Sequence, residues 1–432
     1  MTNSLDFKKI LIISSYAPPS MSGASQNIYN LLRDFPENSY CILTSFYNID
    51  NISAKTGIWL KGKYIFYDKI SASGLLKIHS EKTKEQPSRL ILNKLKYLVK
   101  RIWFLGALGG AFIMGSQIIM IIRAGIKTIK KEKVKIMIGF SDYGPAMIST
   151  YILNKITKKP YYIYLFDIYK DNFYPVFPAG ILAKIFESKI LKNAEKIIVT
   201  NEGTLNFYVK EYGEKIRKKI IIIHNSTFSE NYLNLHNNYN PKSPYTILYT
   251  GSIYWPQIRS LKNLITAIKE INDIDINLKI YSPNPKDYLK KIGITESEKV
   301  KILVASPQKM PEIQTKADIL FLPLSWHTKS QKIIDTATPG KLADYLISNR
   351  PILIHAPSST FLTQYAKKNN FAYVVDEENI EKLKSAIKTL LFDKTLTKQI
   401  IKKAKVIFLK NHDASFNALT FQNFFKNNCV GL

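Results

Sequence analysis

The residues best suited to chemistry lie in one segment, residues 337–345, with the sequence ATPGKLADY. Gly340 would let a ligand approach the backbone, and the amides and Lys341 ammonium that begin the predicted helix suit a diphosphate. Asp344 comes one turn later, where its carboxylate could accept hydrogen bonds from ribose hydroxyls. Alternatively, Lys341 is a solvated surface residue and Asp344 an ordinary acid in the first turn of a helix.

A second candidate phosphate site follows the first predicted strand, residues 10–14. A loop of small residues and prolines leads from this strand through Ser22 and Gly23 into a helix. This arrangement places free backbone N–H groups at the carboxyl end of the strand, where they can hold a phosphate. Because no GxGxxG pattern is present, a simple turn between strand and helix is the alternative.

Both segments belong to a regular alternation of strands and helices, typical of parallel sheets covered on both faces. Strands are predicted at 10–14, 40–44, 135–139, 161–166, 196–200 and 219–224, and then at 246–250, 277–281, 300–304, 319–323, 351–355 and 372–375. Residues 229–244, rich in Asn, Tyr and Pro, are typical of a linker. We therefore predict an α/β protein with an N-terminal domain at 1–228, the linker at 229–244 and a C-terminal domain at 245–407. A C-terminal helix within 408–432 is expected to pack back on the first domain, and ligands should gather in a cleft between the domains.

Composition excludes several classes of protein. The chain has 432 residues, of which 46% are apolar and 22% charged, which excludes wholesale disorder and a polytopic membrane protein. Its two cysteines, Cys41 and Cys429, exclude a disulfide scaffold and fit a reducing compartment. The formal net charge of +29 predicts an anionic partner: nucleic acid, a membrane surface or a phosphorylated substrate. The first residues do not resemble a signal peptide, so we expect a cytosolic protein.

One stretch without charges, residues 102–122, is long enough to span a membrane. Spanning is disfavoured because predicted strands of one sheet lie on both sides of it. Two alternatives remain: a buried helix of the first domain, or a helix or hairpin that inserts one face into a membrane. Basic residues flank both ends of this apolar stretch and suit an anionic leaflet, so the apolar and basic insert as a whole covers about 90–131. The basic residues are Lys94, Lys96, Lys100 and Arg101 before the stretch, and Arg123, Lys127, Lys130, Lys131 and Lys133 after it.

Four segments together resemble the family 4 glycosyltransferases of the GT-B fold, the "group 1" transferases that assemble bacterial surface polysaccharides. They are the opening strand with its Pro-rich loop and Ser22-Gly23-Ala24, residues 194–201 (AEKIIVTN) with 220–225 (IIIIHN), residues 247–252 (ILYTGS), and residues 339–345 (PGKLADY) with Arg350-Pro351. The last is the most specific. The resemblance covers most of the chain and is weakest over about 50–130. It implies two Rossmann-like domains with parallel sheets facing across a cleft.

The resemblance also implies which residues bind a nucleotide sugar. Gly251 and Ser252 would contact the diphosphate, and Arg259, or alternatively Lys262, would neutralise it. Asp344 matches the second acid of the family's E-x7-E motif, which contacts the ribose. The residues implied for donor binding are Gly23, Gly251, Ser252, Lys262, Gly340, Lys341 and Asp344.

The sequence departs from the family pattern at three positions, of which one is the first loop, where the usual Gly-Gly is Ser22-Gly23. The first acid of E-x7-E is replaced by Thr336, with Asp335 beside it, and the catalytic His often found in the first domain is absent. Asp167, at the end of a predicted strand, is the candidate for the missing His, and Asp142 is the second candidate. The implied catalytic residues are therefore Asp167, Arg259 and Asp142.

The implied function is a retaining, metal-independent hexosyltransferase that uses a UDP- or GDP-sugar as co-substrate and has no other cofactor. Basic side chains and a helix N-terminus can stabilise the departing diphosphate without a metal, and the D-x-D at residues 273–275 is interpreted as a solvated turn. The acceptor would be a lipid-linked or other glycan at the inner, anionic face of the cell membrane. Two alternatives are a catalytically inactive GT-B scaffold, favoured by Thr336, and a basic nucleic-acid-binding protein. Because the chain lacks a recognised nucleic-acid-binding motif, we expect no nucleic-acid partner.

Overall fold

The computed structural model describes residues 7–20, 22–49, 57–68, 103–142, 144–172, 177–235 and 239–426. The basic residues Lys94, Lys96, Lys100 and Arg101 of the predicted insert lie outside these ranges, as does Cys429.

The first half of the described chain forms a seven-stranded sheet, in which strand order is β3-β2-β1-β4-β5-β6-β7. Its strands are β1 (Ile10–Ile13), β2 (Tyr40–Thr44), β3 (Lys63–Phe66), β4 (Ile136–Phe140), β5 (Tyr161–Leu165), β6 (Lys196–Val199) and β7 (Ile220–Ile222). The helices are α1 (Gly23–Leu32), α2 (Trp103–Lys131), α3 (Pro145–Thr157), α4 (Ala179–Asn193) and α5 (Glu202–Tyr212).

The second half forms a six-stranded parallel sheet with the order β10-β9-β8-β11-β12-β13. Its strands are β8 (Tyr245–Thr250), β9 (Ile276–Tyr281), β10 (Val300–Leu303), β11 (Ile319–Pro323), β12 (Ile352–His355) and β13 (Tyr373–Val375). The helices are α6 (Trp255–Glu270), α7 (Lys286–Lys291), α8 (Met310–Thr315), α9 (Gln331–Thr336), α10 (Lys341–Ile347), α11 (Phe361–Asn369), α12 (Ile380–Phe392), α13 (Lys394–Ile407) and α14 (Ala414–Asn423).

The central strands are apolar because both faces of each sheet are covered. Every residue of β1, β2, β4, β11 and β12 is buried, as expected for parallel strands between two layers of helices. Strand order reverses between β1 and β4 in the first sheet and between β8 and β11 in the second. Ligands of open α/β sheets bind outside the carboxyl ends of strands at such reversals. The predicted α/β fold with parallel sheets is therefore confirmed, and it directs attention to the loops after these four strands.

Contacts divide the chain into two compact units. Unit 1 comprises Met1–Val199, Tyr212–Ile221 and Gln422–Leu432, and unit 2 comprises Thr200–Glu211 and Ile222–Phe421. Residues 200–211 and 222–228, which we expected in the first domain, therefore have their contacts in unit 2. Tyr232, within the predicted linker, is buried in the core of unit 2. Near the chain end, Lys8 N donates a hydrogen bond to Phe425 O at 2.8 Å within unit 1.

Helix α2 is one continuous helix that packs against α3, where Gly125 makes room for the Leu153 side chain. Residues Gly109–Lys131 of this helix are long and apolar enough to cross a membrane, yet only 17% of its most apolar 18-residue stretch is buried. Phe112, Ile113 and Ile119 are 78%, 50% and 51% exposed. Of the alternatives predicted for this segment, neither a buried core helix nor a hairpin fits these residues. The helix instead presents an exposed apolar face.

Candidate functional site

The turn after β8 brings Gly251 to Lys341, the first residue of α10. Gly251 has φ +108°, a backbone conformation that favours glycine, and its N–H donates to Tyr281 O at 2.8 Å. A Cβ placed on Gly251 would lie 3.2 Å from both Cε and Nζ of Lys341. The absence of a side chain at Gly251 therefore leaves the space in which the Lys341 ammonium lies.

The Lys341 ammonium has an aromatic neighbour but no carboxylate partner among the described residues. Its nitrogen lies 3.9 Å from the centre of the Tyr249 ring, and the Tyr249 hydroxyl donates to Ser252 O at 2.7 Å. A ring face attracts a cation only moderately. Burial lowers the pKa of Lys341 to about 7 because removal from water disfavours the charged form. An anionic ligand would supply the missing counter-charge.

Two neighbouring positions leave the backbone accessible beside this lysine. Ser252 is exposed directly after Gly251, and Gly340 is exposed directly before Lys341. A Cβ on Gly340 would meet no atom within 4 Å. Although Gly340 has an ordinary helical φ of −55°, its lack of a side chain leaves open space in front of the backbone. The structure thus brings Gly251, Ser252, Gly340 and Lys341 together.

Asp344 lies one turn into α10 and belongs to a network of polar side chains. The hydroxyls of Thr227 and Tyr232 hydrogen-bond its carboxylate, but burial has the larger effect and raises the pKa of Asp344 to about 6. The Tyr232 hydroxyl also lies 2.6 Å from Oε1 of Gln314, and Gln314 Nε2 donates to Thr250 Oγ1 at 3.4 Å. This network fixes the carboxylate near the carboxyl end of β8. Sequence reasoning missed Thr227 and Tyr232, because both lie in segments without strand or helix periodicity.

The two basic residues predicted on α6 have other neighbours. Nε of Arg259 hydrogen-bonds Oε1 of Glu378, and the Arg259 side chain is 52% exposed. The Lys262 side chain ends against Gly293, where an added Cβ would lie 2.9 Å from its Nζ. In this structure Lys341 is therefore the basic side chain at Gly251, and the charge that we expected from α6 is not brought there.

In unit 1, the loop after β4 contacts the loop after β1. Ser15 N donates to Oδ2 of Asp142, and the Ser14 hydroxyl lies 3.4 Å from the same oxygen. Burial raises the pKa of Asp142 to about 6 despite these hydrogen bonds, which lower it. Gly23 begins α1, and a Cβ there would meet no atom within 4 Å. Asp142 therefore positions the β1 loop, and Gly23 leaves open space at the end of that loop.

Asp167 follows β5 at the same edge of the first sheet. The Ser141 hydroxyl accepts a hydrogen bond from Phe166 N at 2.9 Å, which links the residues directly before Asp142 and Asp167. Asp167 is half-buried, and burial raises the pKa of its carboxyl. No described residue donates a hydrogen bond to that carboxylate. Of the two carboxylates, that of Asp167 therefore has more capacity to accept a hydrogen bond from a ligand.

The D-x-D sequence lies between α6 and β9, as expected for a turn. The Asp273 carboxylate pairs with Lys388 at 2.6 Å, and the Asp275 carbonyl accepts from Tyr245 N at 2.9 Å. In the described part of the chain, no group of three or more His, Cys, Asp and Glu side chains is placed to hold a metal ion.

Comparisons with known proteins give the class of fold. No protein-family model matches the chain, and no curated protein matches it by sequence. Solved structures do match over nearly the whole chain. A glycosyltransferase from Rickettsia africae is 12% identical with a TM-score of 0.61, covering 97% of this chain and 98% of that one. Anabaena HepE, solved with UDP and glucose, is 11% identical with a TM-score of 0.61 and coverages of 96% and 99%. Sucrose-phosphate synthase from Thermosynechococcus elongatus is 13% identical with a TM-score of 0.65 and coverages of 96% and 98%. At these identities the likeness shows the fold alone, and this chain has the GT-B fold.

Proposed function

We propose that this protein is a glycosyltransferase that takes a sugar from a nucleotide-sugar donor. The observation that carries the proposal is the Lys341 ammonium, which lies at Gly251 with no carboxylate partner among the described residues. A diphosphate fits this place because it is doubly charged and small enough to approach the glycine backbone. Related folds support the same ligand class, since HepE was solved with UDP and with UDP-glucose.

In this proposal the donor's diphosphate contacts Lys341 and the open backbone at Gly251, Ser252 and Gly340. The bond from the anomeric carbon to the diphosphate oxygen breaks, and negative charge builds up on that oxygen. A nearby ammonium in a poorly solvated place stabilises this charge more than water does. Arg259 lies on the following helix and could add a second charge after leaving Glu378. The reaction then needs neither a metal nor a cofactor beyond the UDP- or GDP-sugar.

Two carboxylates, those of Asp344 and Asp167, can accept further hydrogen bonds and would make the remaining contacts with the sugar donor and the acceptor substrate. Asp344 would accept hydrogen bonds from the ribose hydroxyls, in addition to those from Thr227 and Tyr232. Asp167 is the candidate to receive the proton of the acceptor hydroxyl as its oxygen bonds to the anomeric carbon, since burial raises its pKa toward the range of a general base. Asp142 would act indirectly, because its carboxylate holds the loop after β1 in position. Retention of configuration and membership in family 4 follow from the sequence resemblance.

The exposed apolar face of α2 supports a membrane-bound acceptor. Phe112, Ile113 and Ile119 of that face are exposed, and the basic residues Arg123, Lys127, Lys130 and Lys131 follow on the same helix. A shallow depression at the end of α2 is lined by further lysines, among them Lys133, Lys135 and Lys159. We propose that the protein works at the inner face of the cell membrane on a lipid-linked glycan, in the assembly of bacterial surface polysaccharide.

A donor screen tests this function. The melting temperature is measured with UDP-, GDP- and CMP-sugars, and the donor that stabilises the protein is then assayed for slow release of free sugar. We expect stabilisation by a UDP- or GDP-sugar and release of sugar from it. Stabilisation by none of these donors would contradict the proposal.

A second candidate function is a donor-binding scaffold without catalysis. It is favoured by Thr336, which is buried and whose hydroxyl bonds the Lys332 carbonyl at 2.9 Å, so that no carboxylate stands at that position. The same screen separates the two functions. A scaffold would be stabilised by a nucleotide sugar but would release no free sugar from it.

A further inference from the structure

A group of buried polar atoms lies beside the segment that leads into α10. Oε2 of Glu202, Nδ1 of His224 and Oγ1 of Thr338 are each buried without a hydrogen-bond partner among the described residues. His224 is only 8% exposed. Buried polar atoms are nearly always paired, and leaving one unpaired is destabilising. Three such atoms from neighbouring segments therefore indicate a ligand that pairs with them.

Two amide hydrogen bonds hold these segments together within unit 2. Asn201 Nδ2 donates to Thr336 O at 2.9 Å, and Asn225 Nδ2 donates to Thr338 O at 3.0 Å. Glu202 directly follows Asn201, and His224 directly precedes Asn225. The two bonds therefore fix the segment 336–338 against the residues that carry the other two unpaired atoms.

The His224 ring is held in place by packing. Its plane lies 15° from that of the Tyr365 ring, with the ring centres 5.9 Å apart, and its backbone carbonyl accepts from Asn417 Nδ2 at 3.0 Å. On the other side, His224 Nε2 lies 3.6 Å from Oε1 of Glu202. This pairing engages one nitrogen and one oxygen and leaves Nδ1 and Oε2 for a ligand. A site held this firmly is preorganised for binding.

The chemistry of the three atoms selects neutral hydroxyl groups. Burial alone would favour the neutral acid, but the imidazole of His224 beside it outweighs burial and lowers the pKa of Glu202. The carboxylate is therefore a charged acceptor that repels phosphate. The Thr338 hydroxyl can donate or accept, and in a neutral imidazole whose Nε2–H faces Glu202 the nitrogen Nδ1 accepts. A polyol can donate to Glu202 and to His224 Nδ1 while it donates to, or accepts from, the Thr338 hydroxyl.

We propose that Glu202, His224 and Thr338 bind hydroxyl groups of the donor's sugar, an inference that rests on the proposed function. Thr338 lies two residues before Gly340 and three before Lys341, where the diphosphate is expected. A sugar attached to that diphosphate is therefore within the reach of this segment. These residues recognise the sugar, whereas Lys341 and Gly251 hold the diphosphate.

Titration calorimetry tests the inference by comparing a nucleotide sugar with its nucleoside diphosphate. UDP-glucose, UDP-N-acetylglucosamine and GDP-mannose are titrated into the full chain beside UDP and GDP, and the tightest pair is carried forward. Glu202→Gln keeps the shape of the side chain but removes its charge. We expect it to weaken the nucleotide sugar about tenfold to a hundredfold, the usual loss for a hydrogen bond to a charged group, and to leave the nucleoside diphosphate unchanged. Glu312→Gln, at an exposed acid of unit 2, is the matched control and should change neither.

Thr338→Val is the second variant, because it removes only the unpaired hydroxyl. It should weaken the nucleotide sugar selectively while the melting temperature of the free protein stays the same or rises, since a buried unpaired hydroxyl is lost. Equal weakening of both ligands by Glu202→Gln, or no weakening of either by both variants, would overturn the inference. If the wild-type protein binds the nucleoside diphosphates but gains nothing from the sugar, this inference fails alone. If it binds no nucleotide, the proposed function fails with it.

Discussion

At the residue scale, Lys341 shows what sequence and structure each contribute. The sequence ATPGKLADY predicts a lysine at a helix start beside a glycine that a ligand can approach. It does not predict that the ammonium lies over the Tyr249 ring at Gly251. That contact joins residues far apart in the chain and depends on the absence of a side chain at Gly251.

The lowered pKa of Lys341 predicts a pH dependence of diphosphate binding. In the free protein this pKa is about 7. A bound diphosphate raises it by its opposite charge, so binding above neutrality takes up a proton. We expect the affinity for UDP or GDP to fall as the pH rises from about 7 to about 9, by at most about tenfold per pH unit. Titration calorimetry in buffers of different ionisation enthalpy measures both the affinity and the proton uptake.

Lys341→Arg is the control, because arginine stays charged over this range. Its affinity for the diphosphate should be nearly constant between about pH 7 and about pH 9. Identical pH profiles for the wild type and the arginine variant would show that the titrating group is another residue or the ligand itself.

At the element scale, the buried strands and the amphipathic helices were the predictable parts. Strand β11 has the predicted bounds 319–323, because an apolar run between turn residues determines it, and α10 begins at the predicted Lys341. Strand β3 was missed, since it is short and only half-buried at the edge of its sheet. The predicted linker was misleading in part, because Tyr232 is a core residue despite its polar, Asn-rich surroundings. Among the polar residues at Asp344, the helix residue itself was therefore predictable, whereas Thr227 and Tyr232, which lie outside regular strands and α-helices, were not.

The exposed apolar face of α2 predicts membrane binding that depends on three side chains. Replacement of Phe112, Ile113 and Ile119 together by Ser should lower the fraction that floats with phosphatidylglycerol vesicles at least about tenfold, since each buried apolar side chain contributes about 1.5–3 kcal/mol. The matched control replaces Leu409, Phe416 and Leu419 of unit 2, which are 55%, 56% and 52% exposed. Equal flotation of the two triple variants would contradict a role for α2.

At the scale of the whole molecule, the GT-B fold is far better preserved than the sequence. Structures that are 11–13% identical match over 96–97% of this chain, although no family model matches. The pattern of buried apolar strands can persist through such change because many apolar residues fill a core equally well. A binding site tolerates fewer substitutions than a core, so the residues of the candidate site must be tested individually in this chain.

The most direct test of the central claim is the affinity of UDP and GDP for three forms of the full chain, measured by titration calorimetry at about pH 6.5, where Lys341 is mostly charged. The forms are the wild type, Lys341→Ala and the control Lys290→Ala, which removes an exposed lysine of unit 2. We expect the wild type and the control to bind one nucleoside diphosphate equally, and Lys341→Ala to bind it about tenfold to a hundredfold more weakly. Equal affinity of Lys341→Ala and the wild type, or binding of neither nucleotide by the wild type, would contradict the claim that Lys341 and Gly251 hold the diphosphate.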